Sequence, residues 1–269
     1  MSHTYPAPAK LNLFLHVVGR RADGYHLLQS VFRLIDRADT VHLALRDDGR
    51  VVREGDLPGV PEEHDLTVRA ARLLQAHAPA GAGVRIRLYK VLPLGGGLGG
   101  GSSDAATVLL ALNRLWQVNL PREALQRMAL QLGADVPVFV FGQTAFAEGV
   151  GEILHPMSAP PAWYVVLMPP VQVPTAAIFA APELTRNTPT LKIAPFSAGM
   201  GHTTLHGLQP IESRSPLVGR NDLQSVVISR YPDVARHLDW LAQFGEARMT
   251  GSGACVFAPF ETEDAARDV

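Results

Sequence analysis

"PLGGGLGGGSSDAA", residues 93–106, is the stretch that decides how this chain folds and what it can hold. Six glycines occupy the seven positions 95–101. A flexible linker is the simple alternative, but a linker separates domains, whereas this stretch joins an alternating, half-polar segment (residues 84–91) to a strongly amphipathic one. Three polar residues then stand where a helix N-cap belongs, namely Ser102, Ser103 and Asp104. The setting predicts a strand, a glycine turn and a helix, which together form a site for an anion such as phosphate.

Three familiar phosphate loops do not fit this stretch. A Walker loop needs a lysine after its last glycine, and here Ser102 follows Gly101. Gly95, Gly97 and Gly100 match the dinucleotide pattern G-x-G-x-x-G, but the preceding strand is half polar and no acidic residue ends a strand at the required distance. A protein-kinase loop lies between two strands and is followed by H-R-D and D-F-G, which this chain lacks. The sequence therefore predicts a phosphate loop of another kind.

The composition is typical of a globular protein with a sizeable core. The chain has 269 residues, of which 47% are hydrophobic and 18% charged, and its net charge is −1. We expect no nucleic-acid partner, because this balance gives no broad basic surface. A start without a signal-peptide pattern and the lack of a long apolar run predict a cytoplasmic protein that does not contact a membrane. The single cysteine, Cys255, lies among apolar residues and is predicted to be a buried, inert thiol.

Hydrophobic periodicity and turn residues predict an α+β fold. Alternation predicts strands at 10–19, 40–47, 49–55, 84–91, 151–157 and 163–170, and a strand–glycine turn–strand unit at 246–260. Helical spacing predicts helices at 65–78, with Asp65 as N-cap, at 104–117, at 121–133 with Pro121 in the first turn and Gly133 as stop, and twice within 222–245. Residues 185–220 are rich in Thr, Pro, Ser, Gly and His and are predicted to form long surface loops. The composition of the chain changes near residue 155, and this change predicts two domains, 1–155 and 156–269.

The loop resembles the phosphate loop of the galactokinase/homoserine kinase/mevalonate kinase superfamily of small-molecule kinases. Three further motifs narrow the resemblance to the 4-diphosphocytidyl-2-C-methyl-D-erythritol kinase family: "PAKLNLFLHVVGRRADGYHLLQSVFRLID" (8–36), "LGADVPVFVFGQTAFAEGVGE" (132–152) and "TGSGACVF" (250–257). The resemblance implies phosphorylation by ATP, with Mg²⁺, of the 2-hydroxyl of the methylerythritol unit in the non-mevalonate route to isoprenoid precursors. It also implies a ribosomal-protein-S5-like, ATP-binding N-terminal domain, a ferredoxin-like, substrate-side C-terminal domain, and an active site in the cleft between them.

Lys10 and Asp135 match the catalytic lysine and aspartate of that family. A carboxylate can orient an acceptor hydroxyl and take its proton, and a lysine beside it keeps the carboxylate ionised and stabilises the developing alkoxide. The residues alone leave other interpretations open: Asp135 could cap a short helix begun by "VPVF", and Lys10 could be a surface lysine at a strand start. Asn12 falls on the same strand face as Lys10 and is predicted to contact the substrate.

The resemblance assigns most of the remaining site residues. Tyr25 and Phe179 would stack on the two faces of the cytosine ring, His26 would bind its edge, and Thr175 would belong to the same wall as Phe179. Core packing is the alternative for Phe179, and a simple hairpin turn is the alternative for Thr250, Gly251, Ser252 and Gly253, which the resemblance places over the nucleotide. The implied ATP-binding residues are Pro93, Leu94, Gly95, Gly96, Gly97, Leu98, Gly99, Gly100, Gly101, Ser102 and Ser103. No carboxylate ligand for Mg²⁺ is identified, and Ser103 is the one weak candidate.

Two departures from the family pattern stand out. The family commonly has Asn at the position of Asp65, which leaves a contact of this residue with adenine open. Members of the family usually run further than Val269, so a last strand or tail is expected to be missing here. The rival functions are a sister kinase of the superfamily, which would not need Tyr25, His26 and Phe179 together, and a nucleotide-binding module without catalysis, which would not need Lys10 and Asp135. We expect a small-molecule cytidyl diphosphate partner and a monomer or weak homodimer.

Overall fold

The structure, a computed structural model, describes residues 2–193, 205–206, 217 and 219–269. Most of the loops predicted for 185–220 lie outside these described residues. The chain forms two compact units and passes through both more than once. The first unit comprises Met1–Ala9, Leu34–Leu94 and Gly99–Gly142, and the second comprises Lys10–Arg33, Gly95–Leu98 and Gln143–Val269. The domain boundary expected near residue 155 stays a prediction.

Runs of strands and runs of helices follow one another along the described chain. The strands are β1 (Ser2–Arg20), β2 (His26–Arg46), β3 (Val51–Glu54), β4 (Gly83–Tyr89), β5 (Ala145–Glu148), β6 (Ile153–Pro156), β7 (Trp163–Leu167), β8 (Lys192–Ile193), β9 (Leu205–His206), β10 (Arg248–Met249) and β11 (Val256–Phe260). The helices are α1 (Leu66–Gln75), α2 (Gly100–Leu115), α3 (Arg122–Leu132), α4 (Val136–Phe141), α5 (Thr175–Phe179), α6 (Gln224–Arg230), α7 (Pro232–Leu241) and α8 (Glu263–Arg267). The fold is α+β, as predicted.

The first unit packs helices on a sheet. The later half of β2 pairs antiparallel with β4, from Thr40↔Tyr89 to Arg46↔Gly83, and β3 pairs parallel with β4. The alternation predicted for β4 is confirmed, because Val84 and Ile86 are fully buried while Arg85 and Arg87 are exposed. Helix α1 packs on β3, β4 and α2, and α2 packs on α4. Burial of the apolar stripes of these helices is the main force that holds the unit together.

The second unit contains its own apolar core. The start of β2 pairs antiparallel with β5, which pairs with β6, and β10, β11 and β7 form a three-stranded antiparallel sheet. Side chains from the end of β1, from α5 to α7 and from β10 and β11 share one apolar cluster, which includes Leu15, Ile178, Val227, Leu238 and Val256. This packing fixes the second half of β1, which follows Lys10 and Asn12, and the end of β10, which precedes Thr250.

Each strand and helix that the sequence predicts is found among the described residues, and in the predicted order. Asp65 caps α1 through a hydrogen bond from the Thr67 N–H, and Gly133 ends α3, whereas Pro121 precedes α3 as its N-cap. Five described elements were not predicted, namely β5, β8, β9, α5 and α8, because each is too short to show a clear period. Of these, β8 and β9 lie in the stretch 185–220 that is predicted to form loops. Cys255 is fully buried, and burial raises the pKa of its thiol to about 12, which confirms the inert thiol. No helix of the described chain combines the length and apolarity that crossing a bilayer requires.

Candidate active site

The first half of the glycine loop, Gly95–Leu98, is fixed by hydrogen bonds to its backbone carbonyls. Cys255 N–H donates to Gly96 O at 3.1 Å, the Thr250 hydroxyl to Gly97 O at 3.3 Å, and Lys10 N–H to Leu98 O at 3.0 Å. Gly97 has φ +77°, and a Cβ added there would lie 2.2 Å from the Thr250 carbonyl oxygen. Only glycine fits this approach, so the two glycine-rich turns of the sequence touch backbone to backbone.

The second half of the loop becomes a helix earlier than predicted. The expectation that Ser102, Ser103 and Asp104 cap the helix is wrong, because α2 already begins at Gly100. Its N-cap is Gly99 at φ +72°, with no side-chain capping hydrogen bond. A glycine N-cap can take the left-handed conformation and leaves the first-turn N–H groups without a capping oxygen. The helix start therefore keeps the donors and the dipole that bind an anion.

A buried ionic cluster supports the start of α2 within the first unit. Lys90, next after β4, donates to Asp39 and to Asp104, at 2.6 Å in the case of Asp104 Oδ2. Asp39 also accepts from the N–H groups of Val91 and Leu92. Among the described residues Asp104 Oδ1 has no hydrogen-bond partner. Burial raises the pKa of Asp104 to about 6 despite Lys90, while the two carboxylates raise the pKa of Lys90 against the effect of its burial.

Lys10 lies inside β1 and is not a surface lysine, because only 2% of it is exposed. Its ammonium donates to Asn12 Oδ1 at 2.6 Å and lies 5.4 Å from the centre of the Phe32 ring. Asn12 shares its strand face, as predicted, and donates through Nδ2 to the Ser30 hydroxyl at 2.8 Å. A Cβ on Gly251 would lie 3.3 Å from Lys10 Nζ, so the ammonium borders the second glycine turn. The amide of Asn12 thus orients the lysine.

The second glycine turn, Thr250–Gly253, connects β10 to β11 and is more than a hairpin connection. The Asn12 N–H donates to the Thr250 hydroxyl at 3.0 Å. Asn221 donates to the carbonyls of Met249 and Gly251, both at 2.8 Å. The hydroxyls of Thr175 and Ser252 share a hydrogen bond of 2.6 Å, which joins α5 to the turn. The structure therefore brings Lys10, Asn12, Thr175, the loop segment Gly95–Leu98 and the second glycine turn together within the second unit.

Asp135 is the N-cap residue of α4, but it does not cap the helix through its side chain. The capping alternative predicted such a bond, and the helix makes none with this carboxylate. Pro137 in the first turn favours the helix start without help from a side chain, because its φ is fixed near the helical value. Asp135 thus stands at the N-cap position of α4 without a capping hydrogen bond from its side chain.

The residues assigned to cytosine binding lie in the second unit around a short turn. Tyr25 is 63% exposed. The ring centres of His26 and Phe179 are 5.0 Å apart at 31°, and Phe179 also packs against the apolar cluster of that unit. Arg186 donates to His26 Nε2 at 3.1 Å. Burial and the charges of Arg186 and Arg20 lower the pKa of His26.

Asp65 uses both carboxylate oxygens within the first unit. One accepts from the backbone and hydroxyl of Thr67, and the other lies 3.2 Å from Arg53. The residue is 3% exposed. These bonds explain how an aspartate is accommodated here, and the contact with adenine stays open.

Several residues at the site gave no functional signal in the sequence. They are Ser30, Lys90, Arg186 and Asn221, together with the Asp39–Asp104 pair. Asn221 follows Gly219 in the polar run "GRND", which an N-cap or turn would explain equally well. The placement of these residues depends on partners far along the chain, and a single sequence does not reveal such pairs.

Two family models match the chain. The model described as GHMP kinases N terminal domain covers residues 65–143, and that described as GHMP kinases C terminal covers residues 208–269. Each match includes one of the glycine-rich turns.

Relatives and solved structures agree with these models. A protein of Thiobacillus denitrificans named 4-diphosphocytidyl-2-C-methyl-D-erythritol kinase is 77% identical over 269 residues, which are 100% of this chain and 90% of that protein. A protein of the same name from Aromatoleum aromaticum is 59% identical, over 98% of this chain and 87% of the relative. A crystal structure of 4-(cytidine 5'-diphospho)-2C-methyl-D-erythritol kinase is 34% identical, with TM-score 0.79 over 99% of this chain and 93% of the other. The mevalonate kinase of Methanococcus jannaschii shares the fold at 13% identity, with TM-score 0.64 over 100% and 93%.

Proposed function

The chain belongs to the 4-diphosphocytidyl-2-C-methyl-D-erythritol kinases of the GHMP kinase family, and on that premise we propose how its residues carry out the reaction. The enzyme transfers a phosphoryl group from ATP to the 2-hydroxyl of 4-diphosphocytidyl-2-C-methyl-D-erythritol in the non-mevalonate pathway. The observation in the structure that supports this most is the uncapped start of α2 after a glycine loop that other backbone segments hold in place.

An assay of coupled ADP release tests the reaction. Purified protein is given ATP, Mg²⁺ and the cytidyl substrate, and in parallel mevalonate or homoserine. We expect turnover with the cytidyl substrate alone. Turnover of mevalonate or homoserine in its place would assign the chain to a sister activity.

The glycine loop, Pro93–Ser103, binds the phosphates of ATP. Phosphate oxygens need several N–H donors that converge without intervening side chains. The contacts of Gly96, Gly97 and Leu98 use their carbonyl groups, and Gly99 takes a conformation that begins α2 with its N–H groups uncapped. The loop is therefore fixed in advance, so little conformational freedom has to be lost when the nucleotide binds.

Asp135 orients the acceptor hydroxyl and takes its proton, and Lys10 supplies the positive charge that the developing alkoxide needs. Phosphoryl transfer requires mainly positioning and charge stabilisation. One observation supports the assignment: Asn12 and the Phe32 ring hold the ammonium of Lys10 within a buried strand. Asn12 contributes to substrate binding mainly because its amide oxygen orients the ammonium of Lys10.

Mg²⁺ would supply charge neutralisation of the ATP phosphates. The Ser103 hydroxyl suits such a group, because it is buried in the first turn of α2 and has no hydrogen-bond partner among the described residues. No cluster of three or more His, Cys, Asp or Glu side chains suited to a metal ion occurs in the described part of the chain. Phosphate oxygens and water are thus the other ligands that the ion would use.

The cytosine ring binds between Tyr25 and Phe179, with His26 at its edge and Thr175 on the wall that carries Phe179. An exposed tyrosine ring and a phenylalanine fixed against the apolar cluster can stack on the two faces of a flat base. Thr175 is held to the second glycine turn through Ser252, which connects this wall with the loop that binds the phosphates. We further propose that the enzyme works in the cytoplasm as a monomer or weak homodimer, which a sedimentation experiment would test.

A further inference from the structure

We propose that Arg186 is a positioning residue of the pyrimidine site, which sets the tautomer of His26 so that an Nδ1–H donor is offered to N3 of cytosine. The inference rests on the proposed function and adds a reason why this site would accept cytosine and reject uracil. Nothing in the sequence motifs assigned a role to Arg186.

The tautomer follows from the chemistry of the two side chains. Arg186 Nε lies 3.1 Å from His26 Nε2. A guanidinium has N–H donors and no acceptor, so His26 Nε2 must accept and carries no proton. A neutral imidazole then holds its one proton on Nδ1. Among the described residues none forms a hydrogen bond with Nδ1, so this donor remains for a ligand.

Arg186 also holds the backbone of the segment that carries Phe179, the ring on which His26 packs. Arg186 donates through its terminal nitrogens to the carbonyls of Phe179 at 2.9 Å, Ala181 at 2.6 Å and Leu184 at 3.0 Å. These carbonyls lie at and after the C-terminal end of α5, where an unpaired carbonyl needs a donor. One guanidinium therefore holds the His26 ring and the backbone of Phe179 together, which keeps their two rings in contact.

An Nδ1–H donor on His26 fits the edge of cytosine and does not fit the edge of uracil. N3 of cytosine is an acceptor on the edge of the ring, whereas N3 of uracil carries a hydrogen and is a donor. Two donors that face each other in a desolvated site leave both without a partner, which is costly. The environment favours the neutral ring as well, because burial and then Arg186 and Arg20 lower the pKa of His26.

The first test is the tautomer itself, measured without substrate. Long-range ¹H–¹⁵N correlation spectra of the imidazole rings distinguish Nδ1–H from Nε2–H. We expect Nδ1–H for His26 in the unaltered protein and in Arg186→Lys, whose ammonium is also a pure donor, and a mixture in Arg186→Gln, whose amide can accept. An Nε2–H ring in the unaltered protein overturns the inference.

The second test is selectivity, measured as the ratio of kcat/KM for the cytidyl substrate to that for its uridyl analogue. We expect Arg186→Gln to lower this ratio roughly tenfold, mainly through the KM of the cytidyl substrate, and to leave the KM of ATP unchanged. Arg236→Gln on α7 is the matched control, because its guanidinium is exposed and pairs with Asp233. An unchanged ratio in a folded Arg186→Gln protein overturns the inference.

A second pair of variants covers the case that Arg186→Gln does not fold. In His26→Asn the amide group replaces Nδ1, and in His26→Gln it reaches the place of Nε2. We expect His26→Asn to keep more of the preference for the cytidyl substrate, and the reverse order counts against the proposal. If the unaltered enzyme turns over neither pyrimidine substrate, the proposed function fails, and the tautomer in the spectra still decides the role of Arg186.

Discussion

The two halves of the glycine loop are held by opposite means. Residues Gly95–Leu98 are fixed by neutral hydrogen bonds from Cys255, Thr250 and Lys10 backbone or hydroxyl groups to loop carbonyls. The start of α2 is supported by the buried ionic cluster of Lys90, Asp39 and Asp104. The neutral half leaves no room for an added atom at Gly97, whereas the ionic half contains a carboxyl group whose pKa lies near 6.

The two kinds of contact serve two requirements of a phosphate-binding loop, a fixed backbone shape and a supported helix start. Close contact of backbone with backbone fixes shape, and it does not change with pH. A charged cluster fixes the helix start through strong but desolvated interactions, and its free energy depends on protonation. Substitutions in each half should therefore fail in different ways, and the following experiments would separate them.

The largest effect is expected for Asp135→Asn, which tests whether a charge in the first unit serves the reaction or the fold. Because the amide that replaces the carboxylate cannot take the hydroxyl proton, kcat should fall roughly 10²–10⁴-fold with binding of both substrates retained. Steady-state kinetics measure kcat and KM, and thermal unfolding checks that the variant is folded. Asp239→Asn on the exposed face of α7 is the control. Near-normal turnover would limit Asp135 to a structural role.

Gly97→Ala against Gly95→Ala tests the steric half of the comparison. Both residues have positive φ, +77° and +72°, so both alanines carry the strain of about 1 kcal/mol. Only the alanine at 97 would meet a carbonyl oxygen at 2.2 Å, whereas nothing lies within 4 Å at 95. We expect Gly97→Ala to lower the free energy of unfolding by about 2 kcal/mol more than Gly95→Ala does. Equal losses in urea titrations would contradict the contact between the two turns.

Asp104→Asn tests the ionic cluster at the start of α2 through the pH dependence of stability. Between the ordinary pKa of 3.8 and about 6, folded Asp104 keeps a proton that the unfolded chain has lost. The folded state therefore binds more protons, and stability falls as pH rises through this range, by about 3 kcal/mol from this group. The free energy of unfolding is measured for both proteins at pH 3.5 and at pH 7. The fall between these pH values should be larger in the wild type than in Asp104→Asn by this amount. Parallel profiles would mean that the pKa of Asp104 is the same in the folded and the unfolded state.

Phe179→Ala should give the smallest effect and tests a neutral contact that serves binding. Loss of one stacking face should raise the KM of the cytidyl substrate about tenfold and leave kcat nearly unchanged, because stacking acts on substrate and transition state alike. Phe179→Leu keeps much of the packing against the apolar cluster and serves as control for stability. An unchanged KM in Phe179→Ala would reduce the residue to a core position.

Much of the local structure was accessible from the sequence. The amphipathic spacing of α1 with its Asp65 cap, the alternation of β4 and the paired strands around the second glycine turn were all predicted correctly. The N-cap of α2 was not, since a pattern rule favours Ser or Asp, whereas close packing around the loop selects a left-handed glycine. The roles of Lys10, Asp135 and the pyrimidine-binding residues came from the likeness of whole motifs to a known family and stay predictions.

The sequence by itself determined the glycine loop between a strand and a helix, the order of the longer strands and helices, and the kinase family, because these depend on period, turn chemistry and motifs that are local in the chain. The tertiary structure alone decided which distant groups meet. The carbonyl of Thr250 lies over Gly97, Lys90 joins Asp39 to Asp104, and Arg186 binds His26. Residues that are 14 to 160 positions apart in these hydrogen bonds come together only through packing of the apolar cores, which no local pattern encodes.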